Sequence, residues 1–253
     1  MTHKFVHVHA SGRYDAPTSS VQEHFDTIIN VEKAEIVTGT ELQYDKHKEI
    51  VRNIEGYGKA IHSESYSDDS YVLWDKEVWK KLHVESFKTT DLQFFNIKGR
   101  KRTPAYAKIV VLEHIETRKR LLVSVAHLPS SVQSGDGFVV GGLRVPAWLD
   151  GVRNWRKRRN IVYKRFNCHA MLISADWNLD LKSRFVRGVI KTMQPGMSHV
   201  WNVRKLPPKG TLFKRLIDFS LIRGHIGVVR RPTILRKFKG FDHNPYVETL
   251  RIL

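Results

Sequence analysis

Polar and apolar residues alternate over residues 4–10, KFVHVHA, and this period of two predicts a half-buried strand. The period then changes. In SSVQEHFDTIINVEK, Val21, Phe25, Ile28 and Ile29 recur on one helical face, with Ser19 or Ser20 as the expected N-cap. AEIVTGTEL reads as a strand ending at Glu41, and KHKEIVRNI as a short helix. SYVLWDK, HVESFKT, LQFFNI, YAKIVVLEHI and RLLVSVAHL read as successive strands parted mostly by short polar turns, with RKR at 118–120 as a hairpin tip.

Residues 144–166 predict a long helix, because Trp148, Val152, Trp155, Val162 and Phe166 fall near helical spacing. Tryptophans on such a stripe are read as core. HAMLISAD is then a buried strand, DLKSRFVRGVIKTM a helix, RLIDFSLIRG another strand and YVETLRIL the last. No repeat, low-complexity tract or Pro/Ser-rich linker interrupts the chain, so residues 1–253 are expected to form one domain. Two runs of strands, each with helices attached, imply two stacked sheets with helices outside.

Charge changes this picture. The chain carries 43 Lys/Arg against 25 Asp/Glu, a formal net charge of +18. Residues 1–150 hold 20 of each sign, whereas residues 151–240 hold 22 Lys/Arg against Asp176, Asp180 and Asp218 alone. Ordinary surfaces mix both signs. Such asymmetry points to a polyanionic partner, nucleic acid ahead of an anionic membrane surface, and DNA ahead of RNA. Candidate contacts are Arg153, Arg156, Lys157, Arg158, Arg159, Lys205, Lys209, Lys214, Arg230 and Arg231. The lone Cys168 excludes an internal disulfide framework. The N-terminus lacks a signal-type apolar region and no apolar run reaches spanning length, so the expected location is cytoplasmic or virion-associated, not membrane.

Polar residues stand at the ends of several apolar strands, where packing gives no reason for them. They are Glu41, His127, Asp176 with Asn178, Asp218, and Asp242-His243. Each has a dull alternative: a helix cap, an Asx-turn, a pair with arginine. Together, carboxylates and an amide oxygen make a hard donor set suited to Mg²⁺ or Mn²⁺ rather than zinc. Histidines with carboxylate partners suit proton transfer near neutral pH. That combination on a basic protein is what phosphodiester hydrolysis needs.

The ordered segments TEL, VAHLPS, SADWNLD, IDFSLI and FDHNP resemble the endonuclease/exonuclease/phosphatase superfamily, the DNase I-like proteins, over residues 5 to 252. The resemblance implies a four-layer α/β sandwich of two packed mixed β-sheets and a metal-dependent phosphodiesterase. It implies that Glu41 ligates the metal with support from Asp242, and that Asp176 orients or deprotonates the attacking water. Asn178 would hold the scissile phosphate, and His127 would bond a phosphate oxygen or help protonate the leaving group. Asp218 would fix and polarise His243, which contacts phosphate or moves a proton. Asp69 is the candidate carboxylate for orienting His127. The sequence departs from the pattern at the end of the first strand, where His9 stands in place of an Asn and becomes the candidate occupant of that metal-side position. It also has SADWN for GDFN and Phe-Asp-His for Ser-Asp-His.

Substrate is not settled by fold. The basic half favours a nuclease with little sequence specificity. A nucleic-acid-binding or assembly protein of virion type with weak or no activity is the first alternative. A phosphatase or phosphodiesterase acting on a small phosphorylated molecule is the second.

Overall fold

The computed structural model describes the chain except residues 1, 10–15, 62–68, 93, 96–100, 103–105, 136, 140–143, 203–204, 208–209, 213 and 236–242, and the side chains of 8, 9, 94, 95, 101 and 102. The elements begin with β1 (Thr2–His9), α1 (Thr18–Asp26), a π-helical turn (Thr27–Val31), β2 (Ile36–Thr40) and α2 (Asp45–Arg52). Next come β3 (Tyr57–Ile61), β4 (Tyr71–Asp75), β5 (Trp79–Lys88) and a small ribbon of β6 (Phe94–Phe95) with β7 (Lys101–Arg102). β8 (Tyr106–His114), β9 (Arg120–His127) and the ribbon β10 (Gln133–Ser134) with β11 (Gly137–Phe138) lead into α3 (Arg144–Arg165). The chain closes with β12 (Ala170–Asp176), α4 (Arg184–Met193), β13 (Ser198–His199), β14 (Asp218–Gly224), β15 (Ile226–Ile234) and β16 (Tyr246–Ile252).

Two six-stranded sheets result, with strand orders β15-β16-β1-β2-β4-β3 and β13-β14-β12-β9-β8-β5. Each is mixed: β1 with β2 and β9 with β12 are parallel, and the other ladders are antiparallel. Their inner faces share one core, which holds Phe5 and Ile36 of the first sheet and Val123, Val125 and Leu172 of the second. The strand period of two sends Val6, Val37 and Leu73 to the opposite face, where Val21 and Phe25 of α1 and Val51 of α2 cover them. α3 covers the outer face of the second sheet. Trp148 and Trp155 are fully buried there, and the Trp155 indole donates to Ser124 Oγ at 2.6 Å. β2 and β12, IVTGT and AMLISAD, are buried at every position, as strands covered on both faces are.

Local details differ from expectation. α1 starts after Pro17 with no side-chain cap, so neither Ser19 nor Ser20 is the N-cap. Among the described residues LQFFNI contributes two strand residues, and the strand expected from Arg215 begins at Asp218. β3 and β15 carry too few alternating apolar residues to be read as strands. β15, which includes Arg230 and Arg231, is an edge strand whose pairing with β16 is broken by register shifts around the segment holding Pro232. No described helix is long and apolar enough to cross a membrane.

Candidate active site

Strand direction gathers the polar strand ends. β9 and β12 run parallel and finish together, with Asp176 opposite His127. β14 runs antiparallel to β12, so its first residue, Asp218, also lies opposite Asp176. In the other sheet β4 is antiparallel to β2, and Asp69 just before it meets the end of β2, where Leu42 N donates to Asp69 O at 2.9 Å. Since β16 is antiparallel to β1, His243 arrives at the same end.

Two imidazole–carboxylate pairs bridge the sheets. His127 Nδ1 bonds Asp69 Oδ2 at 2.9 Å, and the same oxygen accepts from Gln43 Nε2 at 3.0 Å. His127 Nε2 lies 3.8 Å from Glu41 Oε1 and 3.7 Å from Asp176 Oδ2. In the second pair His243 Nδ1 bonds Asp218 Oδ2 at 2.7 Å, and Thr211 Oγ1 accepts the backbone N–H of Asp218 at 3.1 Å. In each pair the Nδ1 bond fixes the ring and leaves Nε2 as the nitrogen for chemistry.

The Asp176-Trp177-Asn178 turn is held from below. Trp177 is fully buried, stacks on Phe219 with ring centroids 5.1 Å apart, and donates its indole N–H to Phe219 O at 2.9 Å. Asp176 Oδ1 accepts the Asn178 N–H at 2.8 Å, an Asx-turn, while Asn178 Nδ2 donates to Leu128 O at 2.8 Å. Asn178 has φ 54° and Glu41 φ 64°, the left-handed region that a glutamate seldom enters. Such strain persists where the surroundings over-determine it, and it clusters at working sites.

Burial sets the electrostatics. Burial and the neighbouring Asp218 carboxylate push Asp176 up to about 6, against the opposing pull of His243 and His127. His127 goes the other way. Burial alone would lower it, but the Asp69 charge and hydrogen bond, with Glu41 and Asp176, raise it to about 10. Asp69 is correspondingly held below the usual carboxylate range, its burial outweighed by His127 and Gln43.

Asp176, Asp218 and His243 each offer a ligand atom, and those atoms lie within 4.8 Å of one another. Two buried carboxylates repelling each other beside a further carboxylate, Glu41, fit a hard divalent cation. Glu41 approaches His127, and Asp242 and the His9 side chain lie outside the described residues.

Sequence reasoning missed His7. It sits at the inner face of β1, 1% exposed, with Nδ1 bonded to Thr38 Oγ1 at 2.9 Å and Nε2 3.9 Å from Asp218 Oδ1. Burial lowers it to about 4, so it is neutral. The signal was a histidine inside an apolar alternation. Gln43 and Thr211, which bond Asp69 and Asp218, carried no signal.

The proposed cationic contacts divide. Arg153, Lys157, Lys205, Lys214, Arg230 and Arg231 are exposed, and Lys209 lies outside the described residues. Arg156 bonds Met193 O at 3.0 Å, and Arg158 makes two 2.8 Å bonds to Glu85. Arg159 is a correction. It is 1% exposed, stacked near Trp155 and bonded to Gln194, because its place on α3 falls on the buried stripe. It is not a surface contact.

No protein-family model and no curated protein matches the chain. Solved structures do. A Bacteroides thetaiotaomicron endonuclease/exonuclease/phosphatase family protein matches with TM-score 0.73 at 10% identity, over 99% of this chain and 97% of that one. A mannosyl-6-phosphatase from the same organism gives 0.72 at 12%, over 98% and 99%. D. rerio TDP2 complexed with a single strand DNA product gives 0.67 at 12%, over 99% of both chains. With this likeness spanning the whole chain, and with two mixed sheets presenting Glu41, His127, Asp176, Asp218 and His243 at one end, the protein has the DNase I-like fold of the endonuclease/exonuclease/phosphatase superfamily.

Proposed function

We propose that the protein is a divalent-metal-dependent phosphodiesterase that hydrolyses nucleic acid, DNA ahead of RNA, with little sequence specificity. The observation that carries this reading is the convergence of two imidazole–carboxylate pairs, Asp69–His127 and Asp218–His243, on Asp176. Asp176 and Asp218, with His243 or Glu41, would hold Mg²⁺ or Mn²⁺, which when bound polarises a phosphoryl oxygen and offsets developing negative charge. Asp176 orients the attacking water and accepts its proton. Asn178, fixed in its turn by Asp176 and Leu128, contacts the phosphate. His127 is the cationic group of the site and delivers a proton toward the leaving oxygen; Asp69 holds its ring at Nδ1. His243, held by Asp218, contacts a phosphate oxygen. The exposed cations of the basic half supply contacts along the polyanion backbone.

A nicking assay tests the proposal. Supercoiled plasmid and labelled single-stranded RNA are incubated with Mg²⁺, Mn²⁺ or EDTA, beside Asp176→Ala and His243→Ala. Metal-dependent cleavage, lost in both variants, is expected. Wild type and variants equally inert but still binding DNA would leave a non-catalytic nucleic-acid-binding protein.

The mannosyl-6-phosphatase neighbour favours one second reading, a phosphatase of small phosphorylated molecules. Salt separates the two. Turnover on a polyanion falls steeply with ionic strength, and turnover on a phosphorylated sugar does not.

A further inference from the structure

α3 and α4 lie side by side on the outer face of the second sheet, tied by the Arg156 bond to Met193 O, and a groove of about 740 Å³ opens beside them. Its floor is Phe138, Leu149, Phe185, Val189 and Met193. The first four are half-buried apolar side chains packed against the core yet not covered by it. Phe138 and Phe185 meet edge to face, 5.1 Å between centroids. Gly188 forms a notch, since a Cβ built there meets nothing within 4 Å.

The rim is cationic. Arg184 lines the groove, and Lys191, two turns further along α4, is exposed. On α3, Arg153 and Lys157 stand four and eight residues after Leu149, on the same face, and both are exposed. The three acidic residues between 151 and 240 are all committed elsewhere. Asp176 and Asp218 belong to the catalytic end, and Asp180 accepts from Lys182 N and Leu216 N.

We propose that this groove docks an amphipathic helix of an acidic protein partner. An apolar floor calls for apolar anchors at i, i+3/i+4 and i+7, and a rim of arginine and lysine calls for carboxylates on either side of them. The ten-residue α4 offers a track of about 15 Å, enough for two to three turns of partner helix. A second copy of this chain is disfavoured by its own charge of +18. A nucleic-acid strand is disfavoured because Leu149, Val189 and Met193 make up most of the floor and its two rings, Phe138 and Phe185, pack edge to face on each other rather than lying open for base stacking. The groove also has a place in the fold. Phe138 belongs to the β10–β11 ribbon, and Gln133 of that ribbon accepts from Asp180 N at 2.7 Å, two residues after Asn178. A docked partner would sit beside the catalytic end.

Fluorescence anisotropy tests this with a labelled peptide of about 20 residues, Glu on one helical face and Leu and Phe on the other. A peptide of equal charge without apolar residues and a labelled single-stranded DNA serve as controls. Gly188→Trp places a large side chain at an exposed position where a Cβ meets nothing within 4 Å, and it removes a helix-interior glycine, so its melting temperature and nicking activity should match wild type. The expected result is binding of the amphipathic peptide, weakened at least about tenfold by Gly188→Trp and also by Arg153→Glu, with DNA binding unchanged in Gly188→Trp. Equal binding of the non-amphipathic acidic peptide would overturn the proposal, as would unchanged peptide binding in Gly188→Trp. Loss of DNA affinity in Gly188→Trp would make the groove a nucleic-acid track instead.

Discussion

The two imidazole–carboxylate pairs have the same composition and opposite surroundings. In the Asp69–His127 pair the ring is 22% exposed and faces Glu41 and Asp176, so negative neighbours outweigh burial and hold it cationic. The Asp218–His243 pair is 2% and 6% exposed and abuts a second histidine, His7, that burial keeps neutral. Burial also lifts the neighbouring Asp176 toward its protonated form. In the proposed reaction the outer pair would store a proton, whereas the inner pair would hold a fixed geometry around a carboxylate whose charge a bound cation would offset. One chemical unit serves two tasks because its surroundings differ.

The largest effect is expected where the two pairs meet. Asp176→Ala should reduce plasmid nicking by about a thousandfold or more while leaving the melting temperature near that of wild type, since it removes the group both pairs address. Residual activity within tenfold would break the comparison at its centre. Next come the two orienting carboxylates. Asp218→Asn should cost about a hundredfold in kcat and Asp69→Asn about tenfold, because the inner ring has no solvent to reorient in and the outer one keeps Glu41 beside it. A reversed order would show that the outer pair carries the demanding step.

Metal binding sharpens the contrast through pH. Asp176 has its folded value raised to about 6, so the metal-free native state holds an extra proton between the ordinary value near 3.8 and 6. Its contribution to stability falls as pH rises through that window. A divalent ion must displace that proton, so Mn²⁺ should raise the melting temperature clearly at pH 7.5 and much less at pH 5. An equal rise at both pH values would mean that the ion binds elsewhere. The last effect bears on stability and not on turnover, and it is expected below the inner pair. Glu248 is buried, bonded to Ser220 two residues past Asp218, and pushed up to about 8 by desolvation. Unfolded, it ionises near 4.5, so native stability falls as pH rises from there and levels off above 8. Glu248→Gln lacks this dependence. Its advantage in chemical denaturation should grow from pH 5 to pH 8 to a few kcal/mol, on the order of the linkage for such a shift. A constant difference across pH would place the ionised carboxylate in a paired environment.

The chain by itself determined the elements and the inventory. Helical stripes and strand alternation depend on residues a few positions apart, so the long α3, the α4 segment and the buried strands were legible, as were the polar residues that end those strands. Charge asymmetry was equally plain, being a count. Pairing across the gap between sheets was expected from the family resemblance alone, and only the tertiary structure brings the partners together. Asp69 and His127 are 58 residues apart and Asp218 and His243 are 25 apart, and no local period reports such contacts. His7 became a neighbour of Asp218 because the two sheets stack, which brings β1, beside β16 in one, across from the start of β14, between β13 and β12 in the other. Strand order likewise made a strand of the basic segment 226–234, whose side chains on the open edge never had to alternate. Arg159 fell inward because it stands four residues after Trp155 and seven after Val152, in the middle of the stripe that α3 turns to the sheet. Local sequence sets what each segment is, but long-range packing sets which charges meet, and burial at those meetings sets their protonation.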